Sequence, residues 1–244
     1  MEQLTPRERI RLAIELKETD RIPVDFGGRV SGIAIEALIE LKKKLGFSLP
    51  DRILNKRLQI AAVNDEILKH FQVDTRHITL APIEDYQANP VAANYRDAWG
   101  TLLVKPAGGY YYDYSEAPLK TAKIEDLEDY PWMDGAYLSL IKEKNEEAKR
   151  ITENGKYALF TSFKGVFERA WSMRGMVEFF MDMAADRTFA EALLDKILET
   201  QCAVYGPYLE ALVPYLDVVC FTDDLGSQTA PLISPAMYRE LIKP

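Results

Sequence analysis

Two adjacent carboxylates, Asp223 and Asp224, follow directly on the apolar run Val218-Val219-Cys220-Phe221. Like charges side by side repel unless a cation, an arginine or a substrate donor lies against them. The pair therefore reads as a candidate catalytic site, able to bind a substrate amine or hydroxyl, hold a proton or support a metal-bound group. The competing use is a helix N-cap, where a carboxylate accepts backbone N–H bonds. Gln228, a neutral donor, follows in the same loop. Lys164, Glu168 and Arg169 succeed another strand-like run. Because neighbouring residues on a helix point apart, Glu168 and Arg169 need different partners. Arg29 stands just past Gly27-Gly28, which permit close backbone approach, and its planar fork suits a carboxylate. Glu84 and Asp85 follow a third strand-like run and read as proton handlers or as ordinary loop acids.

Other chemistry finds little support. His70 and His77 share no metal spacing with Cys202 or Cys220, and both cysteines read as core. No metal site is expected within the chain. Phosphate loops, dinucleotide turns and nucleophile elbows are absent. Tyr110, Tyr111, Tyr112 and Tyr114 suit either a lid or an ordinary aromatic hairpin.

These candidates need elements to position them. Thr5-Pro6-Arg7-Glu8 is a capping box that opens a helix to about Lys17. Residues 22–26, 74–80, 157–161 and 217–221 read as parallel strands, the last buried. Helices are expected at 33–45, 56–71, 136–152 (closed by Asn154-Gly155) and 189–204, the last kinked or broken by Gly206-Pro207. Ser234-Pro235 caps a final helix. Between 82 and 134 the period changes, and Trp99–Lys105 with Gly109–Tyr114 reads as a β-hairpin excursion. Strands alternating with helices imply βαβ units. About four parallel strands fall short of the eight, in about 250 residues, of a closed (β/α)8 barrel.

Composition narrows the function classes. The 244 residues carry 30 Lys+Arg against 38 Asp+Glu, a net charge of −8 that argues against a nucleic-acid footprint. Two cysteines exclude a disulfide scaffold, and no apolar run reaches membrane-spanning length. A single domain over 1–244, soluble and cytoplasmic, acting on a small molecule, is the expectation.

The motifs Thr5-Pro6-Arg7-Glu8-Arg9, Asp20-Arg21-Ile22-Pro23-Val24, Phe167-Glu168-Arg169-Ala170-Trp171 and Asp223-Asp224-Leu225-Gly226-Ser227-Gln228 resemble the uroporphyrinogen decarboxylase superfamily. So do Leu232–Tyr238 and Lys243-Pro244. The resemblance implies a TIM barrel, here lacking its C-terminal strands, as in an N-terminal fragment. It implies one of two chemistries: methyl transfer from a corrinoid protein to a thiol, or cofactor-free decarboxylation in porphyrin biosynthesis. The paired-arginine motif of the decarboxylases is represented by Arg29 alone, and their second-strand aspartate is missing unless Glu84 or Asp85 replaces it. The methyltransferase side therefore fits better, with Asp223 and Asp224 catalytic and Arg29, Gln228, Arg169 and Glu84 binding substrate. Zinc would enter through residues beyond Pro244. A non-catalytic fragment or binding module, with an open edge that favours dimerisation, is the reading from another class.

Overall fold

The computed structural model describes residues 3–87, 92–133, 135–153, 156–185 and 187–244. In chain order its elements are α1 (Pro6–Ile14), α2 (Ile35–Leu45), β1 (Arg52–Asn55), β2 (Ile60–Ala61), α3 (Asp65–His70) and β3 (Thr75–Ile78). Then come β4 (Glu84–Asp85), β5 (Asn94–Arg96), β6 (Leu102–Val104), β7 (Asp113–Glu116), α4 (Ile141–Thr152) and β8 (Ala158–Lys164). The last are α5 (Val166–Arg174), α6 (Met176–Ala185), α7 (Arg187–Leu212), β9 (Val218–Thr222) and α8 (Pro235–Met237).

The architecture is mixed α/β. Strands β3, β8 and β9 pair in parallel in that spatial order, with Thr75 opposite Ala158 and Phe160 opposite Val218. Two antiparallel sheets, β2-β1-β4 and β5-β6-β7, complete the strand set. Among the described residues no sheet closes on itself. Ile78, Leu159 and Phe163 of the parallel sheet pack on Ala148 of α4 and on Val204, Tyr208 and Leu212 of α7. A second core joins α5, α6 and α7 through Phe167, Phe179, Met183, Leu193 and Ile197.

Helix α1 forms where the capping box was expected. The Thr5 hydroxyl accepts from the Glu8 amide and the Glu8 carboxylate accepts from the Thr5 amide at 2.8 Å. Its arginines pin the strands at their N-terminal ends. Arg9 bonds Asp74, just before β3, and Arg7 bonds Asp217 at 2.9 Å, just before β9. The opposite, C-terminal ends of the strands are thereby left to the site.

Several expectations are corrected. The helix expected at 56–71 begins only at Asp65, because residues 52–61 make a hairpin. The Asn55 side chain accepts from the Leu58 amide, Gln59 takes a left-handed φ of 53°, and Ile53 pairs with Ala61. Its apolar period is sheet packing. Residues 22–26 form no strand. Pro23 has no N–H, and the Val24 amide is taken by the Asp74 side chain at 2.8 Å. Helix α7 neither breaks nor ends at Gly206-Pro207 but runs to Leu212. Burial of Val204, Tyr208 and Leu212 on both sides of the proline outweighs its lost hydrogen bond, a cost of about 3 kcal/mol. The expected cap at Asn154-Gly155 lies outside the described residues. Strand β9 is an edge rather than buried, leaving Phe221 65% exposed. Cys202 is exposed rather than core, because it lies off the buried stripe of Ile197, Gln201 and Val204.

The excursion forms as expected and gains a third strand, β5, with Tyr95 opposite Leu103. No helix among the described residues is long and apolar enough to cross a membrane.

Candidate functional site

A cavity of about 300 Å³ opens at the C-terminal ends of β3 and β8. Its floor is His77 to Ala81 after and within β3, and Ser162 to Lys164 at the end of β8. The β5-β6-β7 sheet covers it with Tyr95, Trp99, Leu103 and Tyr114. Of the tyrosines expected as lid or hairpin, Tyr114 lines the cavity, Tyr112 is buried within the cover, and Tyr110 and Tyr111 are exposed. Ligands of open α/β sheets bind at this end of the strands because the connecting loops converge there.

Charge distinguishes the cavity. Arg29, Lys56, Arg57, Lys164 and Arg169 line it, against one lining carboxylate, Asp97. Asp97 is engaged by Arg169 at 2.9 Å, and Lys56 bonds Glu84 at 3.2 Å. Arg29 makes no hydrogen bond or ion pair among the described residues, and burial lowers its proton affinity, offset in part by Glu168. A second carboxylate, Glu168, stands behind the wall. Lys164 Nζ lies 2.9 Å from it, Arg57 3.8 Å, and the Tyr114 hydroxyl donates to it at 3.3 Å. Lys164 also donates to the Tyr114 oxygen.

This packing retunes the groups. Burial is the largest influence on Lys164 and, joined by the nearby Arg169 charge, pushes it down to about 7 despite Glu168. Burial opposes ionisation of Glu168 but is outweighed by Lys164, so its pKa is lowered. Burial raises Tyr114 to about 12. The site thus presents an ammonium that exchanges its proton near neutrality, a carboxylate that stays ionised, and a neutral phenol touching both.

Asp223 serves this constellation from beneath. Its two carboxylate oxygens accept from the amides of Phe167 at 3.0 Å and Glu168 at 2.6 Å, capping α5 from 55 residues away. Gly165 makes room, since a Cβ there would collide with the Asp223 carboxyl. Burial raises the Asp223 pKa, opposed by those two amides. Asp224 and Gln228 are exposed in the loop after β9 and do not line the cavity. Glu84 is half-exposed in β4 and reaches the cavity only through Lys56. Arg29 and Arg169 both line it. As the helix geometry required, Glu168 and Arg169 take separate partners.

The cavity's Arg57, Asp97 and His77 escaped sequence reasoning. Arg57 was hidden by the helix expected around it, although its carbonyl accepts from the Tyr112 amide and so binds hairpin to cover. His77 Nε2 lies 2.7 Å from Asp25 Oδ1, a pairing across 52 residues that spacing alone does not reveal. Among the described residues no group of three or more His, Cys, Asp or Glu side chains is placed to hold a metal ion.

With this geometry in hand, comparison with solved structures finds a methyltransferase from Methanosarcina mazei. It superposes with a TM-score of 0.56 at 18% sequence identity, over 98% of this chain and 64% of that one. The likeness is one of fold. The chain spans less than two thirds of the length of that structure. No protein-family model and no curated protein matches the sequence.

Proposed function

We propose that this chain is the substrate-holding part of a methyltransferase-like enzyme of the uroporphyrinogen decarboxylase superfamily, its barrel completed by residues outside the chain. The acceptor is a small thiol carrying an acid group, and the methyl donor a corrinoid protein. The observation that carries this reading is the cavity's five basic side chains against one lining carboxylate. The fold-level likeness to a methyltransferase supports it.

Arg29, which has no ion-pair partner among the described residues, takes the acid group of the acceptor, with Arg57, 3.8 Å from Glu168, adding charge. A charge-assisted pair of this kind contributes about 1.5–3 kcal/mol. Lys164, near 7, receives or returns a proton at its Nζ as the ligand's charge changes. Glu168 and Tyr114 orient that Nζ, and Asp223 acts through Glu168 as a positioning residue. Asp224 and Gln228 stand outside the cavity, where a larger donor would approach. Zinc belongs to this proposal only through residues beyond Pro244, and no step here runs through it.

One observation favours a second reading. Arg29, Arg57 and Arg169 meet in one cavity although the paired-arginine sequence motif is absent. Three arginines also suit a carboxy-lyase, where they hold substrate carboxylates while an acid returns the proton. The test is calorimetric titration of the 244-residue protein with 3-mercaptopropionate and with propionate, followed by activity of the full-length protein. Saturable binding of both acids, weakened about tenfold in Arg29→Ala, is expected, together with methyl transfer from methylcobalamin to the thiol. Turnover of a porphyrinogen without methyl transfer would establish the second reading instead.

A further inference from the structure

The segment that delivers Arg29 to the cavity, residues 27–32, belongs to no helix or strand. Its two ends lie against apolar side chains, Gly27 against Leu68 and Gly32 against Ile60, and between them it rests on the His77 ring. On one side His77 Nε2 meets Asp25 Oδ1 at 2.7 Å, and the same oxygen accepts from the Thr75 hydroxyl at 2.5 Å. Both Thr75 and His77 belong to β3, so Asp25 is tied to the rigid sheet twice. Burial opposes ionisation of Asp25, yet His77 and Thr75 outweigh it and hold the carboxyl down at about 2.

On the other side, Gly28 lies against the ring so closely that a Cβ there would collide with its Cε1, Nδ1 and Nε2 atoms. The Gly28 amide donates to the Ser31 hydroxyl at 3.3 Å, and the Gly27 amide to the Ser31 carbonyl at 3.0 Å, closing a compact turn. Phe160 of β8 supports the ring edge-on, with centroids 5.5 Å apart. Arg29 is the next residue along this turn. Among the described residues it has no hydrogen bond of its own to locate it, so its place over the cavity depends on the turn that carries it.

We infer that Asp25, His77 and Gly28 form a latch that clamps the turn 27–32 to β3, and that His77 is the positioning residue for Arg29. The latch gives the glycine pair a specific use: Gly28 is required for contact with an imidazole rather than for ligand approach. It also separates two roles on one segment, with Asp25 and Gly28 gripping the sheet and Arg29 reaching the ligand. The inference takes its functional meaning from the anion-binding reading, but the clamp itself can be measured without a ligand.

Trypsin provides that measurement, because Arg29–Val30 is a cleavable bond whose cutting rate reports local opening. Mass spectrometry of brief digests should show cleavage after Arg29 rising by about tenfold in His77→Phe relative to the wild type. In His77→Gln, which retains a donor toward Asp25, the rate should return most of the way. Gly28→Ala, which keeps the imidazole but forces the turn off it, should open the same bond even where His77→Phe folds poorly.

Binding of 3-mercaptopropionate supplies the second readout. His77→Phe and Arg29→Ala should each weaken it by about tenfold, and the double variant should be no weaker than either. Unchanged cleavage at Arg29 in both His77→Phe and Gly28→Ala would overturn the latch, as would additive losses in the double variant. Accelerated cleavage in the His77 and Gly28 variants, together with a wild type that binds neither acid, would uphold the latch and sink the anion-site reading alone.

Discussion

Asp223 and Glu168 are joined by a hydrogen bond of 2.6 Å from the Glu168 amide to the Asp223 carboxylate, so the strand end after β9 caps the helix that begins after β8. A carboxylate at this position satisfies two amides that the helix itself cannot, and it lies at the positive end of the helix dipole. The acid that looked catalytic in sequence thus fixes, through the backbone, the acid that touches Lys164. Asp223→Ala should lower the stability of the protein by about 1–2 kcal/mol in urea denaturation. Asp223→Asn retains an acceptor and should lose less than half of that. The alanine variant should also weaken binding of acids in the cavity, because the first turn of α5 carries Glu168. Equal stability of Asp223→Ala and the wild type would contradict the cap.

Lys164 has a folded-state pKa near 7, well below the usual 10.5 of a lysine. Between those values the unfolded chain binds more protons than the folded one. The group's contribution to stability therefore rises with pH across that window, and it is least favourable below about 7. In Lys164→Met that slope should vanish. The comparison is cleanest from pH 7 to 9.5, where Tyr114, raised to about 12, keeps its proton. Binding of an anion should follow the opposite course, weakening as pH climbs through about 7 and the ammonium is lost. A flat binding profile from pH 6 to 8 would remove Lys164 from the ligand's surroundings.

Gly206 lies inside α7 with nothing within 4 Å of where a Cβ would sit. Its backbone is helical and its neighbour Pro207 is already accommodated. Gly206→Ala should therefore stabilise the protein by about 0.5–1 kcal/mol through the lower conformational entropy of the unfolded chain. A rise in the urea midpoint with unchanged slope is the expected result, and ligand binding should not move.

Some of this molecule was readable without coordinates. The capping box at Thr5-Glu8 and the three parallel strands were legible because each depends on a local pattern: a spacing of three, or an apolar run bounded by turn residues. The hairpin of the excursion was equally plain from its change of period. Failures arose where side chains from distant segments replaced a local preference. The stretch from Ile60 to Leu68 has helical spacing, but Asn55 and Gln59 turn its first part into a hairpin. Val24 has a strand's composition, but Asp74 takes the amide that a ladder would use.

By itself the sequence determined the inventory: an acidic chain, alternating strands and helices, Arg29 after a glycine pair, and acids and bases clustered at strand ends. Only the tertiary structure decided which of them meet. It turned the two carboxylate oxygens of Asp223 toward two backbone amides and left Asp224 and Gln228 exposed beyond the cavity. It brought Arg57, from a segment that reads as helix, beside Tyr114 and Glu168. The physical reason is range. Propensity and periodicity act over a few residues, whereas a lysine pushed down to about 7 requires burial above all, with Arg57 brought near from another sheet. Such environments exist only once strands 50 or more residues apart in sequence have paired, as Thr75 and Ala158 do.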